Sequence, residues 1–137
     1  MALNVIFGAE RTELCAASSS LTLATPWLAG KRTESMGRGD TVSVSLGEQA
    51  FFRDEGKQRW FCYSQPVTGN LEAQTTAAFS QLFAATHGME CLRIWNYVPR
   101  INAIVDGLEN YQAFCLGRHQ AFEEQFGETA RMKYCAA

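Results

Sequence analysis

Tyr111 and Arg118, seven residues apart, carry side chains suited to holding a small anion. In a helix, seven residues are nearly two turns, so both groups leave nearly the same face about 10 Å apart along the axis. A guanidinium so placed can grip one carboxylate by a forked pair, and a phenol can hold the far end by a single hydroxyl bond. Gly117 lies between them, and glycine inside a helix costs about 1 kcal/mol against alanine unless a second backbone or a ligand comes close. Upstream, Arg93, Trp95, Asn96 and Tyr97 form the other dense polar and aromatic cluster. Arg93 beside Trp95 can stack or bind an anion. The same residues also admit a plainer reading: Tyr111, Phe114, Cys115 and Phe122 as a core stripe, Arg118 and Arg93 as surface charges, and Gly117 as a point of tight helix packing.

Other constellations offer less. His87 closes one predicted helix and His119 lies on another, neither with Cys or carboxylate at metal spacing, so no metal site is expected. The G-x-S-x-G, G-x-G-x-x-G and P-loop patterns do not occur, which removes the common hydrolase, dinucleotide and nucleotide signatures, and no cofactor is implied. The five cysteines, at 15, 62, 91, 115 and 135, are widely spaced and odd in number. They read as buried small hydrophobes in a reducing compartment. Glu123 and Glu124 read as a solvated helix face.

The elements that must position these groups show in the hydrophobic period. Leu3 to Phe7 and Leu21 to Leu28 are candidate strands. Thr41 to Leu46 alternates Val42, Val44 and Leu46 with Thr41, Ser43 and Ser45, the period of a half-buried strand, and Trp60 to Ser64 is aromatic and β-prone. The stretch from Gly30 to Asp40, with three glycines and five charges, reads as a mobile loop. From Asn70 to His87 the period becomes helical, with Asn70 as N-cap, Gly88 as stop, Leu71, Ala78, Leu82 and Ala85 on one stripe and Phe79 and Phe83 beside it. Cys91 to Val98 reads as a strand, with Leu92, Ile94 and Asn96 on one face and Arg93, Trp95 and Tyr97 on the other. A second helix is predicted from Asp106, where Glu109 completes a capping-box-like start, through Phe126 to Gly127. Arg131 to Ala137 reads as extended. The order predicts an α+β fold: a mixed or antiparallel β-sheet with two helices packed on one face.

The 137 residues are one ordinary domain's worth of chain, able to bury roughly two-thirds of the unfolded surface. Hydrophobic residues at 47% and charged residues at 19% exclude disordered, collagen-like and coiled-coil classes. Twelve Lys and Arg against fourteen Asp and Glu give a formal charge of -2, with no basic block longer than Lys31-Arg32, so nucleic acid is not an expected partner. No stretch reads as a membrane span or a signal segment, and the cytoplasm is the expected location.

Two motifs together carry a resemblance. The run RIWNYVPRIN at Arg93 to Asn102, followed by GLENYQAFCLGRHQAF at Gly107 to Phe122, resembles the chorismatase family, whose members include proteins labelled pteridine-dependent deoxygenase-like or endoribonuclease L-PSP-like. The likeness is strong over residues 60 to 137 and poor over the first 60. It implies a YjgF/Rid-like domain spanning 1-137, the N-terminal half of a two-domain protein. It also implies a chorismate-like substrate whose enol ether is hydrolysed to release pyruvate, leaving a dihydroxycyclohexadiene carboxylate or a hydroxybenzoate. Tyr111 and Arg118 would face the substrate carboxylate, and Arg93, Trp95 and Tyr97 would lie on a strand near the domain junction. The carboxylic acid that protonates the methylene carbon would belong to the second domain, so the chain alone would not turn over chorismate. Two other readings stand beside this one: a free-standing YjgF-like trimer that binds small ligands or deaminates imines, and a structural domain that supports a catalytic neighbour.

Overall fold

The computed structural model describes residues 2–25, 29–37 and 43–133. They fall into two compact units, Met1–Gln65 and Pro66–Ala137. The first is all β and the second is mainly helical, an α+β composition with mixed sheets and two main helices.

In the first unit, alternation drives the strands. β1 (Leu3–Phe7) buries Leu3 and Val5, and β3 (Ser20–Leu23) buries Leu21 and Leu23. β1 pairs with β3 in parallel and with β4 (Thr33–Met36) antiparallel, while β2 (Glu13–Cys15) adds to β3, giving the order β2-β3-β1-β4. Part of the stretch expected as a mobile loop is therefore strand. Thr33–Met36 is a solvent-facing edge strand whose polar side chains mimic loop composition, held by the bond from Phe7 N–H to Arg32 O at 2.8 Å and from Ser35 Oγ to Asn4 Oδ1 at 2.7 Å. Residues 38–40 lie outside the described residues.

A second sheet contains β5 (Val44–Ser45), β6 (Ala50–Glu55) and β7 (Gln58–Tyr63) in that order. β6 and β7 form a hairpin in register from Ala50↔Tyr63 to Glu55↔Gln58, turned at Gly56 with φ +59. The alternation predicted from Thr41 holds only for two residues of strand, and Val44 and Leu46 are exposed rather than half-buried; residues 41–42 lie outside the described residues. Phe51 and Cys62 join Leu3, Val5, Leu21 and Leu23 in one core. Arg53, on the same face of β6 as Phe51, is 0% exposed.

The second unit is built on α1 (Leu71–Ala85) and α2 (Asn110–Phe126), which pack against each other. Asn70 caps α1 as expected, its Oδ1 accepting the Ala73 N–H at 2.8 Å, and Gly88 follows the helix in the left-handed region at φ +76. The buried stripe runs through Thr75, Phe79 and Phe83, so the phenylalanines form its centre, and Leu71, Ala78, Leu82 and Ala85 are its half-buried flank. Phe79 and Phe83 meet Phe114, Phe122 and Phe126 with ring centroids 5.0 to 6.2 Å apart, in tilted and edge-to-face pairs that aromatic quadrupoles favour.

Three expectations change here. Cys91 to Val98 is not a strand beyond a single bridge at Arg93, and its alternation survives only from Arg93 on: Leu92, expected on the face of Ile94, is 73% exposed, while Ile94 and Val98 pack on the aromatic core and Arg93, Trp95 and Tyr97 face outward. Asp106 does not start α2. With Gly107 it turns a short hairpin between β8 (Ile104–Val105) and β9 (Leu108–Glu109), both residues lying at positive φ (+53 and +81) as a type I′ turn requires. After α2 the chain stays helical, in a 3-10 turn at Gly127–Thr129 and α3 (Ala130–Lys133), rather than extended; residues 134–137 lie outside the described residues. The cysteines also differ from expectation. Cys62 is buried, but Cys15, Cys91 and Cys115 are only half-buried.

Candidate functional site

All five residues singled out from the sequence lie in the second unit. Tyr111 sits in the first turn of α2 and is 54% exposed, which removes it from the core stripe. The buried face of α2 is instead Asn110, Ala113, Phe114, Gly117, Ala121 and Phe122. Tyr111 and Arg118 flank that face on one side, two turns apart. Arg118 is half-buried, its guanidinium 5.6 Å from the centroid of the Phe114 ring, one turn earlier.

Gly117 explains how Arg118 reaches its level against α1. A Cβ there would meet Glu72 O at 2.2 Å and Thr75 Cβ at 2.8 Å, so the missing side chain admits a neighbouring helix backbone and not a ligand. Thr76 Oγ1 donates to Gly117 O at 3.0 Å, and Glu72 O is its other acceptor at 3.1 Å.

Arg93 and Trp95 are in contact, the guanidinium 5.5 Å from the ring centroid. Trp95 and Tyr97 are each exposed, so the segment offers a cation and two aromatic rings to solvent. Asn110, which the sequence reading passed over, links this segment to α2. Its side-chain amide donates to Pro99 O at 3.4 Å and Arg100 O at 3.1 Å, while its backbone N–H donates to Ala103 O at 2.9 Å. Tyr111 N–H donates to Ile101 O at 2.9 Å. The loop that follows the aromatic segment is thus tied to the helix turn bearing Tyr111. The signal available in the sequence was an Asn that opens the helix, whose buried amide needs partners and finds them in the preceding loop.

A recess in the same unit is lined by Phe83, His87, Cys91, Phe122, Phe126 and Lys133 among others, and holds about 60 Å³. Ligand pockets span roughly 300–1,000 Å³, so it is far too small for a ring-bearing substrate, and none of the five residues lines it. Among the described residues no three His, Cys, Asp or Glu side chains converge as a metal site would require. No helix among them is long and apolar enough to cross a membrane.

The second unit thus sets a solvent-facing cation and aromatic rings beside a helix pair, in an α+β chain. The fold of the chain matches a solved chorismatase with a TM-score of 0.68 at 20% identity, over 89% of this chain and 39% of that one. Residues 34–137 match the family described as chorismatase FkbO/Hyg5-like, N-terminal, and the chain belongs to that family. Similar proteins include a chorismatase of Streptomyces hygroscopicus, 39% identical over 61 residues that are 42% of this chain and 18% of that protein. A chorismatase of Streptomyces rapamycinicus is 39% identical over 71 residues, 49% of this chain and 21% of that protein. A 3-hydroxybenzoate synthase of Streptomyces hygroscopicus is 34% identical over 70 residues, 47% of this chain and 21% of that protein. The chain therefore spans about a fifth of the curated relatives it matches.

Proposed function

We propose that this chain is the substrate-anchoring N-terminal domain of a chorismatase-like enzyme, with the YjgF-like arrangement that the resemblance implies. The enzyme cleaves the enolpyruvyl ether of chorismate. Protonation of the methylene carbon and addition of water to the adjacent carbon give a hemiketal, whose collapse releases pyruvate and leaves the ring hydroxyl. Such a step needs a proton donor, a water and cationic anchors for two carboxylates. This chain supplies anchors: Arg118 for a carboxylate, the Tyr111 hydroxyl as a single donor, and Arg93, Trp95 and Tyr97 as a stacking and cationic strip. The proton donor is assigned to a second domain, and the isolated chain is inactive in this reading.

The observation that carries the reading is the match of residues 34–137 to the N-terminal chorismatase family. The placement of Tyr111 and Arg118 along one flank of α2 supports the anchoring role. Titration of chorismate into the protein, followed by calorimetry and tryptophan fluorescence, tests it. Saturable binding is expected, weakened at least about tenfold by Arg118→Ala, because a charge-assisted contact contributes about 1.5–3 kcal/mol. Binding that is absent, or indifferent to Arg118, overturns the assignment.

A further inference from the structure

Arg100 lies in the turn after Pro99 with φ +48, in the left-handed region. Two other described residues besides glycine lie there, each of a type that suits it. Asp106 completes the Asp-Gly hairpin turn, and Ser19 is small, with its hydroxyl bonded to that of Ser43. Arginine has no such aptitude, and a proline-led turn normally carries glycine or asparagine at positive φ. The surrounding structure imposes the conformation. Arg100 O accepts the Ala103 N–H at 2.8 Å and the buried Asn110 Nδ2 at 3.1 Å, and Ile101 O accepts the Tyr111 N–H at 2.9 Å. The turn is therefore bonded to the first turn of α2 at the residue that bears the exposed phenol. The Arg100 side chain is itself exposed, and among the described residues no carboxylate pairs with it. A disfavoured backbone that its surroundings over-determine, carrying an unpaired guanidinium, is the pattern of a ligand clamp rather than of a structural turn.

We infer that Arg100 is a further anchor for a dicarboxylate ligand. It takes one carboxylate by the fork of its guanidinium, and Arg118, about 10 Å beyond Tyr111 along α2, takes the other. Tyr111 lies between the two cations along the helix. The inference rests on the anchoring role proposed above and deepens it, because that role needs cations for two carboxylates and Arg100 is assigned to the second. Glycine would suit the backbone at this position better, so what recommends arginine there is its charge.

Titration of chorismate into the wild-type chain, Arg100→Gly, Arg100→Gln and Arg118→Ala, beside urea unfolding of each, tests it. Glycine removes the guanidinium and fits φ +48, so Arg100→Gly should keep or raise the urea midpoint. Its dissociation constant for chorismate should nevertheless rise at least about tenfold, as for a lost charge-assisted contact. Arg100→Gln keeps a long side chain without the charge and should lose affinity to a similar degree. A residue that serves only the turn gives the opposite result, a more stable glycine variant with wild-type affinity. That outcome, with Arg118→Ala still weakening binding, overturns the inference and leaves the anchoring role standing. A wild-type chain that does not bind chorismate, or binding indifferent to Arg118, overturns the anchoring role and this inference with it.

Discussion

The Thr76 hydroxyl on α1 donates a hydrogen bond to the backbone carbonyl oxygen of Gly117 on α2 across 3.0 Å, and Gly117 in turn lies directly against the backbone of Glu72. This contact sets the distance between the helices and thereby the level at which Arg118 leaves α2.

Gly117→Ala tests it. Alanine raises helix propensity by about 1 kcal/mol, but its methyl would stand 2.2 Å from Glu72 O, a backbone atom that cannot swing aside. The steric term wins, and a net loss of roughly 1–3 kcal/mol is expected in urea unfolding. A neutral or stabilised variant would show that the helices separate easily.

Asn70→Ala removes the side chain that accepts the Ala73 N–H, leaving that donor to water. A loss of about 1 kcal/mol is expected, and Asn70→Ser should recover most of it. Hydrogen exchange at Ala73 should speed up in the alanine variant before it changes elsewhere in α1.

Asp54 and Arg59 face each other across β6 and β7, joined by two bonds of 2.7 and 2.8 Å, with the guanidinium 3.8 Å from the Phe52 ring centroid. The hydrogen bond from Arg59 holds the Asp54 carboxyl below its ordinary value of 3.8. A lowered folded pKa means the unfolded chain takes up the proton first. The contribution is therefore complete above the ordinary value and lost as pH falls through the folded one. Because the pair is partly solvated, Asp54→Asn should cost only about 0.2–1 kcal/mol at neutral pH. The two proteins should converge in stability in strong acid, and a gap that persists there would assign the effect to packing.

Burial pushes the Cys62 thiol up to about 12, whereas a hydrogen bond from the Ser18 side chain holds the Cys15 thiol below its ordinary value. Only the thiolate reacts, so Cys62 should be alkylated at least about a hundredfold more slowly than Cys15 in the native protein, with the difference removed by denaturant. Peptide mapping after timed alkylation gives both rates.

Where local chemistry decides an element, the sequence reading agrees with the structure. Leu3 to Phe7 alternates and forms β1, and Asn70 caps the helix it precedes. It fails where tertiary pairing decides. Thr33–Met36 is charged and glycine-flanked, and becomes a strand only because β1 accepts it as an edge. Ala50–Glu55 carries Arg53 and Asp54 inside a strand pattern, so its alternation is hidden until β7 pairs with it. Cys91–Val98 alternates like a strand, yet alternation reports burial on one side and not the presence of a ladder. At Asp106 two local signals compete, a capping box with Glu109 and an Asp-Gly turn, and the adjacent glycine decides for the turn. For the candidate site, the residue types at Tyr111 and Arg118 were legible, but Asn110 was not, because its role depends on which loop lies beside the helix start.

The parallel pairing of β1 with β3 has a consequence for biosynthesis. In the order β2-β3-β1-β4, the first of these four strands to be made becomes an inner strand, and its second flank arrives only when Met36 has been translated. Until then Leu3–Phe7 has at least one open backbone edge, the condition in which nascent chains most readily pair with one another. Slower elongation before residue 36 would lengthen that window and favour clumping on polysomes.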